Sequence, residues 1–224
     1  MKGLGYVWLT AFLIARLAAA AQASPIDGMG CEACHRLSVD APLENRKAPD
    51  LFYAGDKLRK EWVERFLQRP VVLRKAGFFT APGFLSGDPG AGPHLALGEA
   101  DAKKAAGHLA TLKLPGLETG LVDEEPLSKV GRVKAKILFE RDYGCIACHE
   151  GINLAGQARG GVSGPSLAGA GNRLKGDWIV HWLKTPERFI DKSRMPVYRL
   201  DAETLTRLTK YILSLKKEPD EWAH

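Results

Sequence analysis

All four cysteines of the chain lie in two copies of the same five-residue frame. The first frame, CEACH, runs from Cys31 to His35, and the second, CIACH, runs from Cys145 to His149. The frames start 114 residues apart, and four cysteines in 224 residues are too few for a disulfide-dense scaffold. The thiols therefore belong to two similar sites, and each site has a histidine directly after its second cysteine.

The C-x-x-C-H frame is the attachment signature of a c-type haem. Two thiols add to the two vinyl groups of the ring, and the adjacent histidine then lies under the iron as its proximal ligand. We therefore expect two covalently bound haem c groups. The expected attachment cysteines and iron-ligating histidines are Cys31, Cys34, His35, Cys145, Cys148 and His149.

Three other uses of a C-x-x-C pair were weighed against haem attachment. A redox disulfide does not require histidine in the next position, yet histidine follows both frames. A zinc ribbon spaces its two pairs much closer than the 114 residues that separate these frames. A structural disulfide closed within C-x-x-C has poor geometry. The sequence therefore favours haem.

The first 23 residues have the pattern of a secretory signal. Lys2 gives a basic start, residues 4–17 are mostly apolar, and Ala21-Gln22-Ala23 fits a small-x-small cleavage site. Arg16 interrupts the apolar run well short of the ~20 residues that a membrane span needs, which argues against a retained anchor. We expect cleavage after Ala23 and a periplasmic or otherwise exported protein that is soluble after cleavage.

The remainder of the chain repeats itself. Pro49-Asp50-Leu51 aligns with Pro165-Ser166-Leu167 at an offset of 116 residues, and the register then runs without a gap. The further aligned pairs are Gly55 and Gly171, Leu58 and Leu174, Trp62 and Trp178, Leu67 and Leu183, and Pro70 and Pro186. After a loop the match resumes at an offset of 103 residues, where Leu97 aligns with Leu200.

This repeat predicts two copies of one domain. We call residues 24–114 the first half and residues 129–224 the second half, and residues 115–128 read as a linker of Gly, Pro and acids. Apolar residues at helical spacing predict three helices in the second half, and no strand pattern is present. These helices lie around Val130 to Phe139, around Trp178 to Leu183 before Pro186, and from Asp201 to Leu215.

Each half resembles a class I cytochrome c, and the chain resembles a tandem dihaem cytochrome c. The second half carries the resemblance best, through Gly131, Phe139, the second frame, Gly164-Pro165-x-Leu167, Trp178 and Met195-Pro196. The resemblance implies an all-α fold of two tandem helical domains, each wrapped around one covalent haem. It also implies His149 and Met195 as the axial iron ligands in the second half.

The first half departs from that family in its chain length on both sides of the frame. After the expected cleavage only residues 24–30 precede Cys31, so the usual leading helix has no room, and the terminal helix needs another partner. The second half is one candidate for this partner. Pro70 to Gly92 spans 22 residues where Pro186 to Met195 spans nine, and the extra residues hold three phenylalanines. They read as a solvated loop with an apolar plug, or as a haem cover or docking surface.

The sixth iron ligand of the first half also departs from the family. The methionine position aligns with Gly92, and no methionine lies between Met29 and Met195. His94 lies two residues beyond Gly92, and we expect its imidazole to fill the position. An open or water-bound iron, Met29 or another side chain are the alternatives.

Other conspicuous side chains have ordinary expectations. We expect His108 to be a packing or surface residue and His181 to be exposed. Trp62 and Trp178 are expected in the core, against haem or its propionates, and not as electron relays. Arg188, Lys192, Arg194 and Arg199 surround Met195, where they either steer an acidic redox partner or form an ordinary charged face.

The leading hypothesis is electron transfer without enzymatic activity or a small-molecule substrate. The donor would be a dehydrogenase or a quinol-oxidising complex, and the acceptor a terminal oxidase or reductase. His/Met ligation raises the reduction potential above that of bis-His ligation, so electrons should run from the first haem to the second. The alternatives are a subunit fixed in a larger respiratory complex and a reductase of a small oxidant such as peroxide at the first haem. Nucleic acid is not expected, because no recognition motif is present.

Overall fold

The computed structural model describes residues 24–76, 94–123, 125–190 and 193–219. The expected signal sequence, the phenylalanine-rich insertion with Gly92, and Lys192 lie outside these described residues. Within the described ranges, no helix is long and apolar enough to cross a bilayer.

The part of the chain that the structure describes contains seven α-helices. They are α1 (Ala54–Lys57), α2 (Lys60–Gln68), α3 (Glu99–Leu109), α4 (Lys129–Ile137), α5 (Ala170–Arg173), α6 (Gly176–Lys184) and α7 (Ala202–Leu213). A π-helical segment, Leu138–Asp142, continues α4 towards the second cysteine frame. The helices expected in the second half are thus α4, α6 and α7, and Asp201 caps α7 by accepting a hydrogen bond from the Thr204 amide.

Helix bounds in the two halves correspond under the offsets found in the sequence. Shifted by 116 residues, the bounds of α1 and α2 become those of α5 and α6. Shifted by 103 residues, α3 begins where α7 begins and ends one residue earlier. The aligned sequences therefore adopt the same local structure.

One glycine in each half lets the terminal helix approach the first short helix. The Gly55 amide donates to the Leu112 carbonyl at 2.8 Å, and the Gly171 amide donates to the Leu215 carbonyl at 2.8 Å. A Cβ atom on Gly55 would lie 2.3 Å from a carbonyl oxygen of Ala110, and one on Gly171 would lie 1.9 Å from that of Leu213. Because no side chain fits at either position, glycine is required for this close approach.

The first half closes its core without a leading helix. Ile26, which is 1% exposed, packs with Trp62 and Val63 of α2 and with a face of alanines on α3. All the buried members of this core belong to the first half. Helix α3 therefore packs against α2 and the segment around Ile26. The second half, which the sequence analysis named as a candidate packing partner, does not contribute buried residues to this core.

In the second half, helix α4 precedes the cysteine frame, whereas residues 24–30, which precede the first frame, form no helix. It packs against α7, and Phe139 lies in the core against Tyr211 at 5.3 Å between ring centroids. Of the stripe that predicted this helix, Val130 is 66% exposed and Ile137 is 38% exposed. The apolar residues at helical spacing thus predicted a helix correctly, but only some of these residues face the core.

Two further features differ from the expectations. A short antiparallel ribbon pairs β1 (Glu150–Ile152) with β2 (Ala158–Gly160), although no strand was expected. The expected linker lies on α6, because the Asp177 carboxylate accepts hydrogen bonds from the Gly120 and Leu121 amides at 2.9 and 2.8 Å. This part of the chain is therefore bound to the second half.

The two halves meet through a pairing of equivalent residues. Leu58 and Leu174 form an isolated antiparallel bridge. Beside it, the Arg59 amide donates to the Arg173 carbonyl at 2.9 Å, and the Lys175 amide donates to the Lys57 carbonyl at 3.0 Å. Because Lys57 aligns with Arg173 and Arg59 with Lys175, these bonds are related by a local two-fold axis.

Candidate functional site

Each cysteine frame is folded as a single 3-10 turn after a glycine. Gly30 and Gly144 have φ values of 73° and 62°, a left-handed conformation that glycine adopts without strain. The amides of His35 and His149 then donate to the carbonyls of the first cysteines, at 2.9 and 3.0 Å. The turn brings two thiols and one imidazole to the same short stretch of backbone.

The cysteines of each frame differ in exposure. Cys34 and Cys148 are exposed, whereas Cys31 and Cys145 are half-buried, and none of the four forms a disulfide. Burial raises the pKa of Cys145 to about 11 and also raises the pKa of Cys31. A raised pKa lowers the thiolate content of Cys31 and Cys145, which does not suit a redox-active cysteine pair.

The histidines of the two frames are oriented by the same contact. His35 Nδ1 lies 2.6 Å from the Pro49 carbonyl oxygen, and His149 Nδ1 lies 2.8 Å from that of Pro165. A carbonyl only accepts, so Nδ1 carries the proton and Nε2 keeps its lone pair for a metal. Burial lowers the pKa of both rings, which keeps them neutral.

At the second frame, glycine permits a close approach to the histidine. A Cβ atom on Gly164 would lie 2.5 Å from His149 Cε1. The next residue, Pro165, supplies the carbonyl that orients the same ring. The Gly164-Pro165 pair noticed in the sequence thus has a direct role at the proximal side of this site.

The structure brings His94 to the first frame. Its ring centroid lies 6.0 Å from that of His35 and 5.4 Å from that of Phe66. His94 Nδ1 lies 2.8 Å from the Leu95 carbonyl oxygen, which again leaves Nε2 for a metal. Two imidazoles that bind one metal from opposite sides, with bonds of about 2 Å, have ring centroids about 6 Å apart. The geometry fits His94 opposite His35, whereas the alternative, Met29, packs against the first core.

Met195 is held by a tryptophan. Trp182 Nε1 donates to Met195 Sδ at 2.8 Å, and the Trp182 ring stacks on Trp178 with centroids 5.1 Å apart. Farther along this loop, the Tyr198 hydroxyl donates to the Tyr143 carbonyl at 3.0 Å. The contact that the structure shows for Met195 is thus with Trp182, on the helix expected to pack against haem.

Buried polar groups of the site were missed from the sequence. Lys57 retains some exposed surface, but burial of its ammonium lowers the pKa to about 7. Arg173 is 6% exposed, and burial lowers its pKa to about 10. Trp178 Nε1 and the Tyr53 hydroxyl are buried donors without a hydrogen-bond partner among the described residues. Cations and unpaired donors of this kind fit the carboxylates of haem, and the repeat alignment was the signal for Lys57 and Arg173.

A buried acid marks the first site alone. Asp50 follows Pro49, is 2% exposed, and lies 3.5 Å from a guanidinium nitrogen of Arg36 and 3.6 Å from one of Arg46. Burial raises the pKa of Asp50, and the two guanidinium groups oppose that shift. Its counterpart in the repeat is Ser166, so the surroundings of the two proximal histidines differ in charge.

The expectations for the remaining side chains have mixed outcomes. His181, expected to be exposed, is buried, and its Nε2 lies 2.9 Å from the Glu118 carbonyl oxygen because the docked linker covers it. His108 is half-buried, 3.3 Å from the Ser24 hydroxyl. Trp62 and Trp178 are each 6% exposed, as expected for core aromatics. Arg188, Arg194 and Arg199 are exposed near Met195.

Comparison with known proteins gives one match. Residues 133–216 match the family described as Cytochrome c, and this range contains the second cysteine frame and Met195. Neither a curated protein nor a solved structure matches the chain. Residues 133–216 are therefore similar to a cytochrome c domain, a family whose members have a helical haem-binding fold and carry electrons.

Proposed function

We propose that the protein is an exported dihaem c-type cytochrome that passes single electrons between redox proteins. The observation that supports haem binding in the first half as well as in the second is a histidine contact that both halves share. In both halves the frame histidine donates Nδ1–H to the carbonyl of an aligned proline, Pro49 or Pro165. The matching helix bounds and the Gly55 and Gly171 contacts support the same assignment.

Covalently bound haem supplies an iron that gains and loses one electron. The protein holds the proximal imidazoles in one orientation and makes them more basic, because each donates a hydrogen bond to a carbonyl. His35 and His149 thus provide equivalent proximal ligands. Differences in potential between the two sites must arise from the other groups around each iron.

The proposed sixth ligands make the two sites unequal. We assign His94 to the first iron and Met195 to the second, so the second site has the higher potential. The hydrogen bond from Trp182 to Met195 Sδ fixes the thioether on the α6 side of its loop. The favoured direction of electron transfer is from the first site to the second.

The partners follow from this assignment. We propose a dehydrogenase or a quinol-oxidising complex as electron donor and a terminal oxidase or reductase as acceptor. Arg188, Arg194 and Arg199 are exposed beside Met195, where positive charge attracts an acidic protein surface. This positive charge supports the second site as the docking face that we propose for the acceptor.

Haem stoichiometry and electron paramagnetic resonance test the proposal together. We expect two haems per chain by pyridine haemochrome assay and mass spectrometry, and two low-spin ferric signals in the oxidised protein. In His94→Ala one of the signals becomes high-spin, because the first iron loses its sixth ligand. His108→Ala is the matched control, since His108 lies in the same half and contacts Ser24, and it leaves both signals unchanged.

Three results would contradict parts of this function. One haem per chain rules out the dihaem assignment. A high-spin signal in the wild-type protein means an open first iron and favours the peroxide-type reductase. Two equal high potentials in a redox titration rule out the proposed direction of electron transfer.

A further inference from the structure

Two repeat-equivalent cations lie where the two halves meet. Lys57 ends α1 and Arg173 ends α5, on either side of the bridge between Leu58 and Leu174. The carbonyl of Lys57 accepts the Lys175 amide, and that of Arg173 accepts the Arg59 amide. The two backbones are thereby tied together, and their side chains start from one small region.

Each of these cations contacts a tryptophan of the other half. Lys57 Nζ lies 4.8 Å from the ring centroid of Trp178, and Arg173 Cζ lies 6.0 Å from that of Trp62. Both distances are within the range of cation–π contacts. The two tryptophans were expected against haem, so each cation reaches the haem-side wall of the opposite half.

Arg74 adds a third cation, and it has no counterpart in the repeat. Its aligned position is Ile190. Its neighbours bind the second half, because Leu73 accepts the Ser166 amide at 2.7 Å and Lys75 Nζ lies 2.6 Å from Glu150 Oε1. Arg74 itself is half-buried, and this burial lowers the pKa of its guanidinium.

The three cations lie within electrostatic reach of one another. After burial, the charges of Arg173 and Arg74 are the next causes that lower the pKa of Lys57. The carboxylate that acts on Lys57 is Asp50, which also lies beside Arg36 and Arg46. Among the described residues, no carboxylate forms an ion pair with Lys57 or Arg173. Desolvated cations without an ion-pair partner are costly, so Lys57 and Arg173 favour an additional anion.

Nearby donors indicate an anion with several acceptor oxygens. Trp178 Nε1 and the Tyr53 hydroxyl are buried without partners among the described residues. Lys57 lies 5.7 Å from the Tyr53 ring, so these donors and the cation share one region. A carboxylate accepts hydrogen bonds and balances charge at once.

Resting on the proposed function, we propose that Lys57, Arg74 and Arg173 form one shared carboxylate site whose ligands are haem propionates from both halves. The charge of Lys57 reaches His35, and those of Arg74 and Arg173 reach His149, so the cluster faces both frames. A cation in such a cluster stabilises the reduced form of both haems. Neither haem then has an independent potential.

Charge removal in the holoprotein tests this site. Lys57→Gln and Arg74→Gln each lower the reduction potentials of both haems, with each reduction equilibrium constant falling on the order of tenfold. The matched controls are the exposed Lys60→Gln, three residues from Lys57, and the exposed Arg132→Gln on α4. Both controls leave the two potentials unchanged. Lys57→Arg, which keeps the charge, also retains the wild-type potentials.

A second arm separates propionates from a free anion. The wild-type potentials stay constant as inorganic phosphate is raised at fixed ionic strength. A phosphate dependence that disappears in Arg74→Gln means an exchangeable anion and overturns the proposal.

The remaining outcomes are also decisive. A shift at one haem only means that each half has its own cation, and no shift means that the cluster binds no haem carboxylate. Both results overturn the shared site while leaving the two-haem function intact. One haem per chain overturns the site and the proposed function together.

Discussion

The two halves of the molecule differ least around the frame histidines and most on the opposite side and at the start of the fold. Pro49 and Pro165 orient their histidines in the same way, and Gly55 and Gly171 make the same close approach. In contrast, Ile26 packs in the first core where the second half has α4, and His94 lies 6.0 Å from His35 between ring centroids, whereas Met195 contacts Trp182. The comparison teaches that the contacts that orient the frame histidines are kept, while the start of each half, the residues proposed as sixth ligands and the charge at Asp50 or Ser166 differ.

Exchange of the two sixth ligands is expected to have the largest effect. Met195→His lowers the potential of the second haem on the order of 0.2 V, roughly 5 kcal/mol for one electron, because imidazole replaces thioether. His94→Met raises the first potential. Spectroelectrochemical titration measures both, and the double exchange reverses their order. Unchanged potentials would show that neither residue binds iron.

Truncation of Ile26 and of Phe139 compares the segment that precedes the first frame with the helix that precedes the second. Ile26→Ala lowers the free energy of unfolding by about 2–5 kcal/mol and Phe139→Ala by about 3–5 kcal/mol, because each leaves a cavity in its own core. Denaturant unfolding followed by haem absorbance measures both changes. Val130→Ala on the exposed face of α4 is the control, with an effect within about 0.5 kcal/mol. An equally small effect of Ile26→Ala would mean that residues 24–30 do not close the first core.

Substitution of Gly55 and of Gly171 tests whether the same close approach contributes equally to the stability of both halves. Gly55→Ala and Gly171→Ala each lower the free energy of unfolding by about 3 kcal/mol, because the new methyl group meets a backbone carbonyl. Gly107→Ala is the matched control: no atom lies within 4 Å of a Cβ there, and it stabilises α3 by roughly 0.5–1 kcal/mol. Thermal unfolding measures all three. A tolerated Gly55→Ala would break the equivalence of the halves.

The smallest expected effect concerns the caps of the terminal helices. Asp201 caps α7, whereas the aligned cap of α3 is Gly98, which has no side chain. Gly98→Asp therefore stabilises the protein by a few tenths of a kcal/mol.

The Asp201 cap also has a defined pH dependence. The Thr204 amide lowers the pKa of Asp201, so its folded pKa lies below the unfolded value. The stabilisation is present above the unfolded pKa of about 4 and is lost as the pH falls through the folded one. Unfolding of wild type and Asp201→Asn at pH 3 to 7 measures this difference. A difference that does not change over that range would contradict the cap.

The sequence predicted α4, α6 and α7, because their apolar residues recur at helical spacing, but it did not predict the short helix α5. The prediction that His94 is the sixth ligand of the first iron stays a prediction, and the ring centroid of His94 lies 6.0 Å from that of His35. The sequence missed Lys57 and Arg173, because charged side chains are ordinarily exposed and only tertiary contacts bury them. Ile26 was missed for a different reason, since one apolar residue in a short segment has no period. The docked linker and the buried His181 depend on where the Asp177 carboxylate lies in space, which spacing alone does not show.

The pairing at Leu58 and Leu174 has a consequence for how the chain folds. Its hydrogen bonds join residues separated by more than a hundred positions, so they close a very long loop. This contact cannot form until both halves of the chain are present. Long-range contacts of this kind slow folding. Formation of the contact between the halves is therefore expected to be a late step, after each half has collapsed around its own frame.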